Sequence, residues 1–321
     1  MRVLITGAGL LGAHVAAELT TVGHSVAMLD VMPDDRYLRW LTGGSDVRVE
    51  RGDARDPGVV ATALRHHHAH AVVHTAALLG RKATANPYLA FQVNAGATAA
   101  VAEAARLTKV SRMVHVSSLA VYDWHSATAD ATVDESFPTA ARTPYSASKL
   151  AGEAVVGCYA ASGWLEVCVL RLAGVYGPGR HRGGAVFGGL LQQVMRRALG
   201  GEPVTVPARL DGHEYLYVAD AARALRLVLE RELTGVYNVG TGRTYSVAEV
   251  AEGLRSAIPG GSVNAAVDRS APPGHLDVTR IRRALPEWSC TGLDAGFAAL
   301  ARALGQNPWL CHETNLMEGQ R

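Results

Sequence analysis

Short apolar runs alternate with longer segments of helical periodicity over the first half of the chain. The runs predict buried strands, and the longer segments predict helices between them. Because strands alternate with helices, the pattern predicts a parallel sheet that is covered by helices on both faces. The predicted strands are Val3–Thr6, Ser25–Leu29, Val47–Glu50, Ala71–His74, Met113–Val116 and Val167–Leu170. The predicted helices are Leu11–Val22, Pro57–Arg65, Tyr88–Leu107 and Pro144–Ala161.

The pattern changes after Arg171, where glycine and proline become frequent over Gly174–Gly189. It then returns as a strand, a helix and a strand, over Glu214–Val218, Ala219–Arg231 and Val236–Val239. We therefore predict an α/β fold with a doubly wound parallel sheet and a smaller, discontinuous C-terminal domain. The sheet domain is predicted to comprise residues 1–175 and 213–243, and the second domain residues 176–212 and 244–321.

A glycine-rich loop, Gly7-Ala8-Gly9-Leu10-Leu11-Gly12, follows the first predicted strand and opens the first helix. In such a loop Gly7 permits the tight turn, Gly9 lets the backbone approach a pyrophosphate, and Gly12 lets helix and strand pack closely. The helix N-terminus also attracts phosphate. A purely structural turn is the alternative, but the context favours a Rossmann dinucleotide-binding domain, which leaves the second domain to bind the substrate.

Asp30 stands at the end of the second predicted strand, where a carboxylate distinguishes NAD from NADP. It accepts hydrogen bonds from the ribose hydroxyls of NAD and repels the 2′-phosphate of NADP, so NAD is the predicted cofactor. Arg36 and Arg39 lie where a helix begins, and we expect them on the surface. Asp53 is placed to hydrogen-bond the adenine, whereas Asp56 is better explained as a helix cap.

The segment Tyr145-Ser146-Ala147-Ser148-Lys149 puts a tyrosine and a lysine on one face of a predicted helix. A nearby ammonium favours the phenolate and lowers the pKa of the tyrosine, which makes it a usable base near neutral pH. Ser118 follows the fifth strand, and the carboxyl ends of such strands face the ligand crevice. Ser118 is therefore placed to hydrogen-bond the reacting oxygen, although a serine in a turn is the alternative.

Composition narrows the possible functions. The 321 residues are 48% hydrophobic and 19% charged, with a net charge of +2, which argues against a nucleic-acid partner or an acidic membrane surface. No apolar run reaches the roughly 20 residues of a membrane span. The four cysteines show no zinc-site spacing, so we expect no metal and a reduced, cytoplasmic protein. The cluster His66, His67, His68 and His70 is interpreted as a solvated surface feature.

These motifs together resemble the extended short-chain dehydrogenase/reductases, the NAD-dependent epimerase/dehydratase family, over roughly residues 1–305. The resemblance implies that Tyr145 is the base, Lys149 its helper and Ser118 the third catalytic residue. It implies that His74-Thr75-Ala76-Ala77 runs along the cofactor and that Asn94 is the family's helix-embedded asparagine. The predicted cofactor-binding residues are Gly7, Gly9, Leu10, Leu11, Gly12, Asp30, Asp53, Ala54, His74, Ala76, Asn94, Ser117, Tyr145 and Lys149.

The substrate positions depart from the family pattern. Nucleotide-sugar enzymes of the family usually carry asparagine where Gly174 stands, and arginines near His213 and Pro272 that touch the diphosphate. Nearby arginines are candidates to substitute, because the guanidinium binds phosphate in a bidentate way; alternatively, the substrate has no diphosphate. The predicted substrate-binding residues are Leu79, Ser118, Tyr145, Gly174, Arg180, Arg182 and Arg209, with Arg269 nearby.

Three classes of function remain: a sugar epimerase, a net NAD-dependent dehydrogenase of a sugar, aldonate or hydroxy acid, and a nucleotide-sensing regulator. The intact Ser–Tyr–Lys set argues against the regulator. Dehydratases of the family place Asp-Glu directly after the catalytic threonine, where this chain has Leu119 and Ala120, which transfer no protons. We therefore expect C4 epimerisation of a nucleotide-linked hexose or uronate, by a homodimer, with the dehydrogenase as the alternative.

Overall fold

The computed structural model of the protein describes residues 1–128, 131–179, 186–266 and 274–311. Seven of its strands form one parallel sheet, in the order β3-β2-β1-β4-β5-β7-β11. The strands are β1 Arg2–Thr6, β2 Ser25–Asp30, β3 Arg48–Arg51, β4 Ala71–His74, β5 Arg112–Ser118, β6 Thr132–Val133, β7 Glu166–Leu172, β8 Gly174–Tyr176, β9 Val204–Val206, β10 Tyr215–Tyr217, β11 Gly235–Val239, β12 Val263–Ala265 and β13 His275–Leu276.

Helices cover both faces of this sheet. The α-helices in the described ranges are α1 Leu10–Thr21, α2 Asp35–Thr42, α3 Pro57–His67, α4 Gly80–Ala85, α5 Pro87–Phe91, α6 Ala97–Thr108, α7 Pro144–Ala161, α8 Val186–Leu199, α9 Val218–Glu230, α10 Val247–Ala257, α11 Thr279–Ala284 and α12 Leu293–Gln306. Helix α1 packs on α9, and α3 packs on α6. Successive residues of β1 serve two different cores, since Val3 and Ile5 belong to one and Leu4 to the other. The predicted doubly wound α/β fold is confirmed.

The strand order reverses between β1 and β4, because the chain runs outward through β2 and β3 before it returns on the other side of β1. Ligands of open α/β sheets bind at such a switch point, outside the carboxyl ends of the strands. The glycine-rich loop after β1 and the segment after β4 both lie there. The topology therefore brings the predicted cofactor residues of the two strands to one edge of the sheet.

Two predicted elements differ from the structure. The strand predicted over Glu214–Val218 is β10, and it pairs with β8 in a separate two-stranded sheet, because β11 occupies the edge beside β7. The helix predicted over Tyr88–Leu107 is interrupted by a π-helical turn at Gln92–Gly96. His67 is buried against β2, with Nε2 3.2 Å from the Ser25 carbonyl oxygen, so the histidine cluster is not wholly on the surface.

Helix α7, which carries Tyr145 and Lys149, has a strongly defined start. Thr143 accepts a hydrogen bond from the Ser146 amide at 3.0 Å, and the Ser146 hydroxyl accepts one from the Thr143 amide at 2.9 Å. Pro144 occupies the first turn, where its missing N–H costs nothing. The capping box fixes where the helix begins and therefore which side chains face the sheet. No helix in the described ranges is long and apolar enough to cross a membrane.

Candidate active site

The glycine-rich loop leaves little room for side chains at two of its three glycines. Gly7 has φ +94°, and a Cβ there would lie 2.7 Å from the Ala76 amide nitrogen. A Cβ on Gly12 would overlap the carbonyl oxygen of Gly7 and lie 2.7 Å from Thr75 Oγ1. The loop after β1 is thus packed directly against the segment after β4, as the spacing of the glycines predicts.

Gly9 differs from the other two glycines, because a Cβ on it would meet nothing within 4 Å. Gly9 is the N-cap of α1, and no side chain caps this helix or places an acid in its first turn. The first amides of α1 therefore remain open to a ligand, and a helix N-terminus attracts anions. The open space beside Gly9 and these amides fit a dinucleotide pyrophosphate.

Asp30, at the end of β2, is tied to the same loop. Its Oδ2 accepts a hydrogen bond from the Ala8 amide at 2.7 Å, and its Oδ1 accepts one from Met32 at 2.8 Å. These bonds hold the carboxylate beside the cofactor loop, where it can accept ribose hydroxyls. Arg36 and Arg39 are exposed as expected, and the Arg36 guanidinium lies 4.3 Å from the centre of the Trp309 ring.

The acidic residues after β3 have separate roles in the structure. Asp56 caps α3 by accepting a hydrogen bond from the Gly58 amide at 2.8 Å, as predicted. Asp53 accepts hydrogen bonds from the amide and the guanidinium of Arg55, and this contact lowers the pKa of its carboxyl. Ala54 between them is buried. Contact of Asp53 and Ala54 with adenine stays a prediction.

Asn94 is fully buried in the π-helical turn and holds the segment that follows β4. Its Oδ1 accepts a hydrogen bond from the Leu78 amide at 2.7 Å, and its Nδ2 donates to the Leu78 carbonyl at 2.9 Å. Nδ2 also donates to Ser148 Oγ at 2.9 Å, and Ser148 donates to the Tyr145 carbonyl at 2.8 Å. Asn94 thus joins the predicted cofactor segment to α7 and acts there as a positioning residue.

Ser118, Tyr145 and Lys149 come together where β5 meets α7. Ser118 lies close enough to the Tyr145 hydroxyl to act on its pKa, and the Ser118 Oγ accepts a hydrogen bond from the Ala120 amide at 3.2 Å. Lys149 is buried, and its Nζ donates to the Val116 carbonyl at 2.7 Å. The three predicted catalytic side chains therefore form one cluster at the carboxyl end of β5.

The electrostatics of this cluster differ from the expectation for Tyr145. Burial raises the pKa of Tyr145 to about 12, and only the nearby Ser118 side chain opposes this rise. Burial lowers the pKa of Lys149 to about 8, while the Glu153 carboxylate acts to raise it. The predicted lowering of the tyrosine pKa by Lys149 is wrong for this structure, because the ammonium is bonded to Val116 and desolvation dominates.

His74, predicted to lie along the cofactor, has its ring beneath the site. His74 is buried, and its Nδ1 lies 2.6 Å from Thr6 Oγ1. Its ring stacks on that of His115 with the centres 5.7 Å apart. Burial and the nearby Lys149 charge lower the pKa of His74 to about 3 and that of His115 well below its usual value. Both imidazoles are therefore neutral, and the backbone after His74, rather than its ring, flanks the glycine loop.

Ser117, also predicted to bind the cofactor, turns its hydroxyl away toward Glu153 and donates a hydrogen bond to Oε1. Glu153 is paired with Arg171, whose Nη2 lies 2.7 Å from Glu153 Oε2. Ser148 and Glu153 were both missed at the level of sequence. Glu153 lies four residues after Lys149, so the helical spacing could have indicated that both face β5.

The predicted substrate residues are described only in part. Arg209 is exposed, and its carbonyl oxygen lies 3.0 Å from His213 Nε2. The His213 ring centre lies 3.9 Å from that of Phe187. A Cβ at Gly174 would lie 2.9 Å from the Glu214 carbonyl oxygen, so a larger residue there requires a shift of the backbone. Leu79 is half-buried before α4, and Arg180, Arg182, Arg269 and Pro272 lie outside the described residues.

The loop, the acidic strand end and the Ser–Tyr–Lys cluster define an α/β protein that binds a dinucleotide beside a proton-transfer site. A sequence profile of the NAD dependent epimerase/dehydratase family matches residues 3–240 of the chain. The chain belongs to this family, and NAD is its cofactor.

Relatives with two activities are similar to the chain. It is 31% identical to the dTDP-glucose 4,6-dehydratase of Streptomyces niveus, over 89% of this chain and 87% of the relative. It is 30% identical to the UDP-glucose 4-epimerase of Corynebacterium glutamicum, over 79% and 80%. Among solved structures, the NAD complex of the Thermus thermophilus UDP-glucose 4-epimerase has a TM-score of 0.82 at 30% identity, covering 95% of this chain and 99% of that chain.

The different surroundings of Gly9 and Gly12 lead to a first prediction. Gly12→Ala should lower the free energy of unfolding by about 1–3 kcal/mol, because the methyl group overlaps the loop backbone. Gly9→Ala should fold normally and bind NAD at least tenfold more weakly, because its methyl group enters the open space. Urea unfolding and calorimetric NAD titration of both variants measure these effects. Normal NAD affinity in Gly9→Ala would contradict the placement of the pyrophosphate.

Asp30 leads to a second prediction, concerning the choice of dinucleotide. The wild-type protein should bind NAD more tightly than NADP, because the carboxylate repels a 2′-phosphate. Asp30→Asn, which keeps the size of the side chain, should reduce this preference at least tenfold by removing the charge. Dissociation constants for both dinucleotides in the two proteins provide the measurement. Tighter binding of NADP by the wild type would show that Asp30 does not select the cofactor.

Proposed function

We propose that the protein catalyses NAD-dependent C4 epimerisation of a nucleotide-linked hexose or uronate through a transient ketone. The observation that carries the proposal is the cluster of Ser118, Tyr145 and Lys149, followed by Leu119 and Ala120 in the 3₁₀ turn Leu119–Val121. Epimerisation needs one proton relay and one reversible hydride acceptor, and bound NAD supplies the latter. The Ser–Tyr–Lys cluster supplies the proton relay, and the two residues after Ser118 add no further acid or base.

The proposed roles follow from the contacts. Tyr145 acts as the phenolate, which takes the proton from the sugar hydroxyl and later returns it, while Ser118 hydrogen-bonds the same sugar oxygen. Lys149, with its pKa lowered to about 8, carries a charge at neutral pH. In the structure this ammonium is bonded to the Val116 carbonyl, and we propose that with NAD bound it holds the nicotinamide ribose and favours the phenolate of Tyr145. Gly7, Gly9, Gly12 and Asp30 hold the dinucleotide, and Asn94 keeps the segment after β4 in register with α7.

The chain is similar to dehydratases as well as to epimerases, so the choice between these two reactions has to be argued from the residues of the site. Loss of water requires further groups that act as acid and base. Leu119 and Ala120, directly after Ser118, have no ionisable group, which favours epimerisation over dehydration. The solved structure of MoeE5 with UDP-glucuronic acid and NAD, 29% identical to this chain, supports a uronate as one candidate substrate.

The second candidate function is net oxidation of a sugar, aldonate or small hydroxy acid. The surroundings of Gly174 and His213 favour it, because neither position offers the asparagine or arginine expected for a diphosphate. If the substrate does carry a diphosphate, Arg180, Arg182 and Arg209 are the residues we propose to bind it.

We also propose a cytoplasmic homodimer. Cys158, Cys168 and Cys290 form no disulfide, as is usual in a reducing compartment. Tyr88 and Phe91 on α5 leave 74% and 49% of their surface exposed, which is consistent with contact to a second copy.

Removal of the Tyr145 hydroxyl tests the catalytic assignment. Tyr145→Phe should reduce kcat by about 10²–10⁴-fold, because the proton acceptor is lost. NAD affinity should remain close to that of the wild type, whereas Lys149→Ala should weaken both turnover and NAD binding. Steady-state rates and NAD titrations distinguish the two variants. A Tyr145→Phe enzyme with near-normal kcat would place the base elsewhere.

The reaction type is tested by the balance of NADH. With UDP-, GDP- and dTDP-linked hexoses or uronates, we expect an epimeric product while absorbance at the nicotinamide band stays constant. A dehydrogenase would form one NADH per turnover and stop when NAD is exhausted. Chromatography and mass spectrometry of the products accompany the absorbance. Stoichiometric NADH with a simple sugar acid would support the second candidate, and loss of water would indicate a dehydratase.

A further inference from the structure

Glu153 is a largely buried carboxylate beside the proposed catalytic residues, and neither the proposed cofactor site nor the proton relay uses it. Its side chain is 10% exposed, and that of its partner Arg171 is 8% exposed. Arg171 Nη2 and Nε donate to the Glu153 carboxylate at 2.7 and 3.1 Å. Ser117 donates a further hydrogen bond to Oε1. The carboxylate thus joins α7, β5 and β7 directly behind the strand end that carries Ser118.

Arg171 is itself held in place from its other side. Its Nη1 donates to the Glu135 carbonyl at 3.2 Å, and its guanidinium lies 4.8 Å from the centre of the Tyr122 ring. The Tyr122 hydroxyl donates to Asn238 at 2.6 Å. Because these contacts fix the Arg171 guanidinium, the Glu153 carboxylate that pairs with it has a defined position relative to β5.

Glu153 also faces Lys149 along the helix. The two residues lie four positions apart on α7, and the carboxylate acts to raise the pKa of Lys149. Among the described residues, His74 on β4 and His115 on β5 are neutral, and Tyr145 on α7 has a raised pKa, so none of these three stabilises the ammonium. Glu153 is therefore the group that counters the cost of burying the Lys149 charge.

We propose that Glu153 is a positioning residue, which keeps the Lys149 ammonium charged and, through Ser117, holds the end of β5 from which Ser118 projects. The inference rests on the proposed role of Lys149 in the reaction. A purely structural ion pair between Glu153 and Arg171 would stabilise the fold but would not determine the charge of Lys149. Titration of Lys149 distinguishes these two roles, and it requires neither substrate nor turnover.

The chain is well suited to this measurement, because it contains three lysines, Lys82, Lys109 and Lys149. Lys82 and Lys109 are exposed, and Lys149 is buried. Labelling with [ε-¹³C]lysine yields three resonances, and Lys149→Arg identifies one of them. In Glu153→Gln, which removes the charge and keeps the size, the Lys149 midpoint should fall by about one pH unit. The midpoints of Lys82 and Lys109 should not move.

Two further variants separate charge from packing. Glu153→Asp disturbs the same contacts but keeps the carboxylate, so its Lys149 midpoint should stay nearer to the wild type than that of Glu153→Gln. Glu103→Gln removes a carboxylate paired with Arg106 on α6 and should leave Lys149 unchanged. Should Glu153→Gln fail to fold because Arg171 loses its partner, the double variant E153Q/R171Q is compared with Arg171→Gln, from which it differs only in the Glu153 charge, and its Lys149 midpoint should be the lower of the two. An unchanged Lys149 midpoint in Glu153→Gln relative to the wild type, or in the double variant relative to Arg171→Gln, overturns the proposal.

The pH dependence of turnover gives a second readout. Because charged Lys149 is the active form, the alkaline limb of kcat/KM should move to lower pH in Glu153→Gln by the same amount as the Lys149 midpoint. A midpoint that moves without the alkaline limb would confirm the action of Glu153 on Lys149 and contradict the role of Lys149 in the proposed reaction. A limb that moves without the midpoint would overturn the inference about Glu153.

Discussion

The active site depends on the contact between the end of β5 and the first turns of α7. Three side-chain contacts make this junction: Lys149 with the Val116 carbonyl, Glu153 with Ser117, and Tyr145 with Ser118. Burying an ammonium is costly unless it is hydrogen-bonded and balanced by charge. The capping box at Thr143 fixes the start of α7 and thereby brings all three contacts into register.

The cofactor side is coupled to this junction through Asn94. A π-helical turn is an uncommon arrangement that often occurs at functional sites. Here it directs a buried amide toward both Leu78 and Ser148, so that the segment after β4 and helix α7 share one hydrogen-bonded group. The glycine loop packs against the same segment through Gly7 and Ala76. Dinucleotide and proton relay are thus positioned by one connected set of contacts.

Local patterns in the sequence predicted those features of the fold and the site that depend on residues close together along the chain. The glycine spacing, the Asp56 cap and the single helix face of Tyr145 and Lys149 all follow from short-range geometry. The pairing of β10 with β8 did not, because it depends on β11 filling the edge of the main sheet. The rise in the pKa of Tyr145 was likewise missed, since desolvation is a property of the whole packed interior.

The stacked pair of His74 and His115 makes folding sensitive to acid. In the unfolded chain each imidazole takes up a proton below its usual pKa of 6.5, whereas folded His74 does so only near pH 3. Between these values the unfolded state binds more protons, so its free energy falls relative to the folded state as the pH decreases. Each such histidine contributes a slope of up to about 1.4 kcal/mol per pH unit. The interior beneath the cofactor thus sets a lower pH limit for the folded chain.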